Sequence, residues 1–518
     1  MLTLDRAKTL GTSGADTRPH AVVIGSGFGG LAAAVRLGAK GYRVTVLERL
    51  DAPGGRAYVH RRDGFTFDAG PTIITAPYLF EDLWALCGRR FSDDIDLRSV
   101  DPFYRLVFDD GEVITCHADQ ALMEEEVVRV SPSDLDGYRR FMARSGEICS
   151  LGFEELGHKA FTSLKSMIDV APDLLKLGGH RSVYGLVSTY IRDPKLRVAL
   201  SFHPLFVGGN PFDTTAVYCL ISHLERRWGV HFAMGGTGAL VHGLVSLIEG
   251  QGNSIRYDAE VSRIVVSGGV ARGVQLANGE EIAADIVVSN ADAAYTYKTL
   301  VPAADRRRWT NRKLDKARYS MSLFVWYFGT RRQYADVDHH TIVLGPRYHG
   351  LIDDIFKARP LSGDMSLYLH RPTATDPSLA PAGCDAFYVL SPVPHLDAGI
   401  DWAEAAEPYR KAIEDRLAQT LLPGLSENLA VSFVTTPQDF QDRLLSIKGA
   451  AFSLAPTLLQ SAWFRPVNRS EDIEGLFLVG AGTQPGAGLP GVLSSARIVG
   501  DMIPEAANVE SDHVRSAR

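Results

Sequence analysis

Gly25, Gly27, Gly29 and Gly30 stand in the run Gly25-Ser-Gly27-Phe-Gly29-Gly30, and Glu48 follows about 20 residues later. Gly25 suits a tight turn, Gly27 lets a pyrophosphate come against the backbone, and Gly30 lets a helix pack close to a sheet. The run follows an apolar stretch at residues 21–24 and opens a helical stretch over residues 31–40, which Gly41 ends. Residues 44–47 then read as a strand leading into Glu48. Strand, glycine turn, helix, strand and acid form a nucleotide site. The helix N-terminus offers free N–H groups to phosphates, and the carboxylate binds a ribose hydroxyl.

The following residues select the nucleotide. Asp51-Ala-Pro-Gly54-Gly55-Arg56 comes directly after the acid, and Phe67-Asp-Ala-Gly70-Pro71-Thr72 comes soon after. A nicotinamide site has no need of this second glycine pair. A flavin site does, because backbone must run beside the flavin ring and the pyrophosphate, and Arg56 can balance the charge there. Near the C-terminus, Gly480-Ala-Gly482 and Gly488-Leu-Pro490-Gly491-Val492 open a last helix. Its positive dipole end can face negative charge on a reduced flavin. Val261, at the head of a short β segment, joins the residues expected at the cofactor. The run Gly486-Ala-Gly488-Leu-Pro490-Gly491 also matches GxGxxG, but prolines interrupt it and the 518-residue chain leaves no room behind it for a second βαβ unit. A separate NAD(P)H domain is therefore not expected.

Composition bounds the remainder. With 45% apolar and 22% charged residues, the chain is an ordinary globular one with a large core. A net charge of −7 gives no general attraction to nucleic acid. The N-terminal residues read as a loose tail rather than a secretion signal, and no apolar run reaches the ~18 residues that span a bilayer. Five scattered cysteines, Cys87, Cys116, Cys149, Cys219 and Cys384, suit a reducing compartment. No CxxC or HExxH spacing occurs; His339 and His340 are adjacent, and neighbours on a strand or helix point apart, so no metal site is expected.

The elements that must position these groups come in three separated pieces. Residues 20–110 begin the nucleotide domain, short β segments between 235 and 300 resume it, and residues 475–505 close it. A mostly helical region spans 111–234, and strands alternate with helices over 301–474. Residues 1–19 and 506–518 read as tails. Strands are expected at 255–257, 261–266, 270–276, 282–288, 322–328, 366–369, 387–391, 429–434 and 476–479. The last of these can pair near the first strand.

Several segments together resemble one family. They are Val23-Ile-Gly-Ser-Gly-Phe-Gly-Gly, Pro53-Gly-Gly-Arg, Phe67-Asp-Ala-Gly-Pro-Thr, Phe202-His-Pro-Leu-Phe-Val-Gly-Gly-Asn-Pro-Phe, Gly235-Gly-Thr-Gly-Ala-Leu, Val288-Ser-Asn-Ala-Asp, Gln460-Ser-Ala-Trp-Phe-Arg-Pro and Leu478-Val-Gly-Ala-Gly-Thr-Gln-Pro-Gly-Ala-Gly-Leu-Pro-Gly-Val. The chain resembles the bacterial-type phytoene desaturases, carotenoid-pathway FAD enzymes related to the amine oxidases, over residues 20 to 505. Gln484 departs from the histidine of many relatives. The resemblance implies an α/β fold: a Rossmann-type FAD-binding domain assembled from discontinuous segments, an inserted mixed α+β substrate domain and a helical membrane-associating region. It also implies a lipophilic C40 substrate, phytoene, desaturated toward lycopene or neurosporene. A peripheral position on the cytoplasmic membrane face follows, with oxygen or a quinone as electron acceptor.

A hydrocarbon cannot be gripped by hydrogen bonds, so an apolar tunnel is required, and Phe202, His203, Phe206, Phe212 and Trp228 are the expected lining. Residues 160–185 mix apolar and basic positions and suit a membrane interface. Candidate proton acceptors are His203, Asp213, His223 and Glu225, with Asp213 first because it follows the family-specific segment. Alternatives are a later carotenoid dehydrogenase, a C30 desaturase, a flavin-dependent carotenoid isomerase, an amine oxidase and a carotenoid-binding protein without catalysis.

Overall fold

A computed structural model describes residues 16–159, 161 and 164–508. The expected tails fall largely outside these residues, as do positions 160, 162 and 163 of the expected interfacial stretch. Residues 506–508 form a helical turn, in which buried Ala506 donates its N–H to the Lys40 carbonyl at 3.0 Å.

Strand His20–Ile24 runs at the middle of a five-stranded parallel sheet. Arg43–Leu47 and then Ser254–Arg256 lie on one side of it, and Ile286–Ser289 and then Leu476–Leu478 on the other. The C-terminal strand thus pairs with the neighbour of the first strand, not with the first strand itself. The strands are apolar on both faces because both faces are covered. Ala21, Val23, Val44 and Val46 meet the helices Phe28–Ala39, Thr237–Gly250 and Leu489–Met502. Val22, Ile24, Leu47 and Val287 meet the antiparallel strands Val261–Ser267 and Val270–Leu276. Three alanines, Ala32 to Ala34, let Phe28–Ala39 sit close against the sheet.

The second sheet has seven strands, in the order Leu429–Thr435, Ser322–Thr330, Asp385–Val393, Leu367–His370, His340–Val343, Tyr104–Val107 and Val113–Cys116. All neighbours are antiparallel except His340–Val343 and Tyr104–Val107. Alternation sorts its faces. Phe324, Trp326, Phe328, Leu369 and Phe387 pack beneath helix Trp402–Thr420, while Leu323, Val325, Tyr327, Tyr368 and Tyr388 face the helical region. The hairpin Tyr104–Val107 and Val113–Cys116 comes from far upstream, and the boundary drawn at residue 110 passes through it. Between residues 120 and 228 the described regular elements are helices, beginning with Gln120–Val130, which Asp119 caps by accepting from the Ala121 and Leu122 N–H groups.

Candidate functional site

A cavity of about 790 Å³ extends from the carboxyl ends of the parallel strands to the inner face of the seven-stranded sheet. Its origin is topological. The chain leaving His20–Ile24 turns into a helix on one face of the parallel sheet, and the chain leaving the adjacent Ile286–Ser289 turns to the other face. A crevice opens where the two part.

The glycine turns line that crevice. Gly25, Gly27, Gly29, Gly54, Gly55, Gly70, Gly480, Gly482 and Gly491 are on the wall, with Glu48, Arg56, Pro71, Thr72, Val261, Pro490 and Val492. Gly30 is behind the wall: a Cβ there would stand 2.1 Å from the Gly25 carbonyl oxygen, so its absence lets the helix meet the turn. Sequence reasoning missed Asn290 as a site residue. Its side-chain amide is wedged where Gly27, Gly29 and Gly480 have no side chains; their Cβ atoms would lie 2.9, 2.7 and 2.7 Å from it. Its place just past the end of a parallel strand was the available signal.

Glu48 is held by three donors. Oε2 accepts from the Ser26 N–H at 2.8 Å and the Ser26 hydroxyl at 2.6 Å, and Oε1 accepts from the Leu50 N–H at 2.8 Å. The helix Phe28–Ala39 starts at Gly27, which brings no capping side chain, and Leu489–Met502 starts in the same way at Gly488. Both helix N-termini therefore present first-turn N–H groups that no capping side chain covers.

At the glycine-lined end, Arg56 Nε and Asp292 Oδ2 are buried polar atoms without protein partners. Arg56 keeps one contact, from Nη2 to the Ser446 hydroxyl at 3.0 Å. Burial pulls its guanidinium below the ordinary value, and the Asp292 charge opposes that. A cation with an unpartnered Nε, glycine-cleared backbone and an oriented carboxylate fit a dinucleotide carrying phosphates, a ribose and a ring with hydrogen-bonding edges. Asp68 supports the floor: its carboxylate accepts from the Thr237 and Gly238 N–H groups, and burial pushes it up to about 6. Gln484 ties two wall segments together, accepting from the Phe161 N–H at 2.9 Å and donating to the Ala462 carbonyl at 2.8 Å.

Beyond the glycine turns the wall becomes apolar. Phe202, Leu205, Phe206, Leu323, Ile342 and Leu390 belong to it. Phe212 and Trp228 do not, which corrects the expectation for both. Phe212 packs against Tyr184 and His349, with ring centroids 4.8 and 4.1 Å away. Trp228 packs against Tyr78 at 5.4 Å, at the C-terminal end of its helix. His203 is also off the wall, buried behind Phe202, with Nε2 3.1 Å from Glu225 Oε2. Asp213 is corrected more sharply. Its side chain is 43% exposed and paired with Arg318 at 2.6 Å, outside the cavity lining. The loop Asn210-Pro-Phe turns it outward. His223 lies against Gly146 of helix Leu135–Cys149 and also misses the wall. Glu225 is the acid of that group that reaches the cavity.

His339 and His340 do not point apart. His339 stands just before its strand, where the alternation of side chains has not begun, and the two ring centroids are 4.4 Å apart. His370, the cross-strand partner of His340, completes a buried trio. His339 and His370 share a hydrogen bond between Nε2 atoms at 3.0 Å, and His339 Nδ1 is 2.6 Å from the Thr375 hydroxyl. The Tyr368 hydroxyl is 2.7 Å from His340 Nδ1, and Tyr368 and Tyr388 both approach Thr72 on the cavity wall.

Comparison with known proteins gives the family. Residues 28–502 match the family described as flavin containing amine oxidoreductase. A relative from Rhodobacter capsulatus, named phytoene desaturase (neurosporene-forming), is 51% identical, with 95% of each chain covered. One from Pseudescherichia vulneris, named phytoene desaturase (lycopene-forming), is 49% identical, covering 93% of this chain and 99% of its own. Among solved structures, a putrescine oxidase bound to putrescine matches with a TM-score of 0.65 at 13% identity, covering 95% of this chain and 99% of that one. At that identity the likeness concerns the fold.

Proposed function

The chain belongs to the flavin-containing amine oxidoreductases and, within them, to the phytoene desaturases, and from that premise we propose that it is an FAD-dependent desaturase of phytoene forming neurosporene or lycopene. The observation that carries the reading is a continuous cavity, in which a glycine-lined, phosphate-suited end runs on into an apolar end.

Residues 20–110, 235–300 and 475–505, less the Tyr104–Val107 strand, make the Rossmann-type flavin unit in this reading. Glu48 receives a ribose hydroxyl, and the Gly25–Gly29 backbone with the N-terminus of Phe28–Ala39 receives the pyrophosphate. Arg56 and the turn from Gly480 to Val492 stand along the flavin. FAD, when bound, supplies the acceptor for a hydride. The chain's own work is placement. Phe202, Leu205, Phe206 and Ile342 hold a hydrocarbon by shape, at about 25 cal/mol for each Å² of apolar surface covered, and exclude water from the reacting carbons. Accurate placement is the principal catalytic lever for an unactivated C–H bond.

Phytoene is a lipid, and the mouth of the cavity suits delivery from a bilayer. Leu175, Leu458, Leu459 and Phe464 line it and are exposed, and helix Leu164–Lys176 packs beside the Ala462–Phe464 turn. No described helix is long and apolar enough to cross a membrane. The reading is therefore of a peripheral protein that draws substrate from the membrane surface and passes electrons to oxygen or a quinone.

The test is anaerobic incubation of the FAD-loaded protein with phytoene in liposomes and an excess of a quinone as electron acceptor, followed by absorbance and mass analysis of the extract. New visible bands with two hydrogens lost per double bond are expected. Unchanged phytoene beside a flavin that stays oxidised would overturn the proposal.

A further inference from the structure

We infer that Glu225 accepts the proton released in each desaturation; this rests on the desaturase reading above. Glu225 belongs to helix Leu220–Trp228, is 4% exposed, and stands on the apolar part of the cavity wall with Phe202, Phe206, Leu220 and Leu224. Its Oε1 accepts from the Tyr104 hydroxyl at 2.6 Å, and its Oε2 lies 3.1 Å from His203 Nε2. These two contacts fix the plane of the carboxylate. A carboxylate offers about four lone-pair sites, so acceptor capacity remains on the cavity side. Burial, and then the Glu225 charge, push the Tyr104 phenol well above its ordinary value, so it stays a donor.

Three other acids stand on the wall, and of these Asp292 keeps a buried Oδ2 without a protein partner. Glu48 is held by Ser26 and Leu50, Glu260 pairs with Arg49 at 3.0 Å, and Asp292 accepts from the Tyr295 N–H beside Arg56. All three stand at the glycine-lined end. Among the described residues, Glu225 is the carboxylate set where a hydrocarbon would lie.

The chemistry needs such a group. Two C–H bonds on neighbouring carbons break. One hydrogen leaves with both electrons as hydride and is taken up by the flavin. The other leaves as a proton to a Glu225 oxygen, and its bonding pair becomes the new π bond. The proton is returned to solvent before the next turnover. Its position on the apolar wall replaces a water that the wall excludes.

The experiment uses the full FAD-loaded chain with phytoene in phosphatidylcholine liposomes. Glu225→Gln should keep its flavin and take up phytoene, while polyene formation falls by about 100-fold or more, the usual contribution of general base catalysis. Glu225→Asp should fall in between. Glu225→Ala, which leaves space beside Tyr104 and His203, should regain turnover with sodium formate but not with sodium chloride. Three outcomes overturn the proposal: Glu225→Gln turning over within about threefold of the parent, far inside that contribution; its losing flavin; or Glu225→Ala folding yet ignoring formate. Absence of polyene from the parent protein would instead sink the desaturase reading.

Discussion

Gly27 and Gly30, three residues apart, answer a methyl group differently. At Gly30 the new Cβ meets a backbone oxygen at 2.1 Å, which no rotamer change relieves; at Gly27 it meets the Asn290 amide nitrogen at 2.9 Å, the end of a side chain that can turn. Gly30→Ala should therefore give insoluble or flavin-free protein, and Gly27→Ala folded protein with weakened FAD binding, as read by circular dichroism and flavin absorbance. Glu48→Ala removes an acceptor from three donors at once. An unpaired buried group costs ~1–3 kcal/mol, so this variant should lose FAD affinity and also melt lower in its apo form. Unaltered apo melting would show that those donors find other partners. Asp213→Asn should keep parental turnover, because an exposed ion pair with Arg318 is worth ~0–1 kcal/mol and touches no substrate.

Whole strands decide how the inner sheet face behaves with pH. Tyr104, His340, His370, Tyr388 and Tyr327 come from five adjacent strands and point the same way, because register and alternation align them. Burial lowers His339 to about 3 and holds His340 and His370 well below the ordinary imidazole value. Folded, these rings stay neutral; unfolded, they take up protons near pH ~6.5. Their contribution is present above that pH and is lost as pH falls below it. Asp68 works in the opposite sense: raised to about 6, it binds a proton in the folded state first and restores some stability between pH 6 and its unfolded value. Three rings outweigh one carboxyl. The melting temperature should fall between pH 7 and pH 5, and His370→Asn should flatten that slope. A melting temperature independent of pH over this range would contradict the buried-neutral assignment.

At the scale of the molecule, the cavity mouth and the exposed apolar residues coincide. Ile168 is 62% exposed and Leu459 71%, values that a single buried core would not leave on neighbouring segments. The same helix carries exposed Lys165 and Lys176, suited to phosphate headgroups. The protein should float with phospholipid vesicles on a sucrose gradient. Leu458→Asp with Leu459→Asp should leave it in the soluble fraction with its FAD retained. Continued flotation of that variant would move the membrane contact to another face.

Local chemistry made the glycine-lined end of the cavity readable from the chain alone. A turn that needs positive φ, such as Gly25 at 89°, and strands apolar on both faces leave their mark within a few residues. The family segments extended that reading to fold and cofactor. Position relative to the cavity was different, because it depends on where chain neighbours are turned by distant partners. Asp213 follows the expected segment yet is aimed at solvent, while Glu225, twelve residues later, is aimed inward on a helical face and met by Tyr104 from a strand 121 residues away. Asn290 depends on three glycines from two remote segments, and the histidine trio on strands joined only when the sheet forms. Residue types and spacing determine which turns and strands exist; which acid shares the hydrocarbon's space is settled by long-range strand pairing and burial, which no short window of sequence contains.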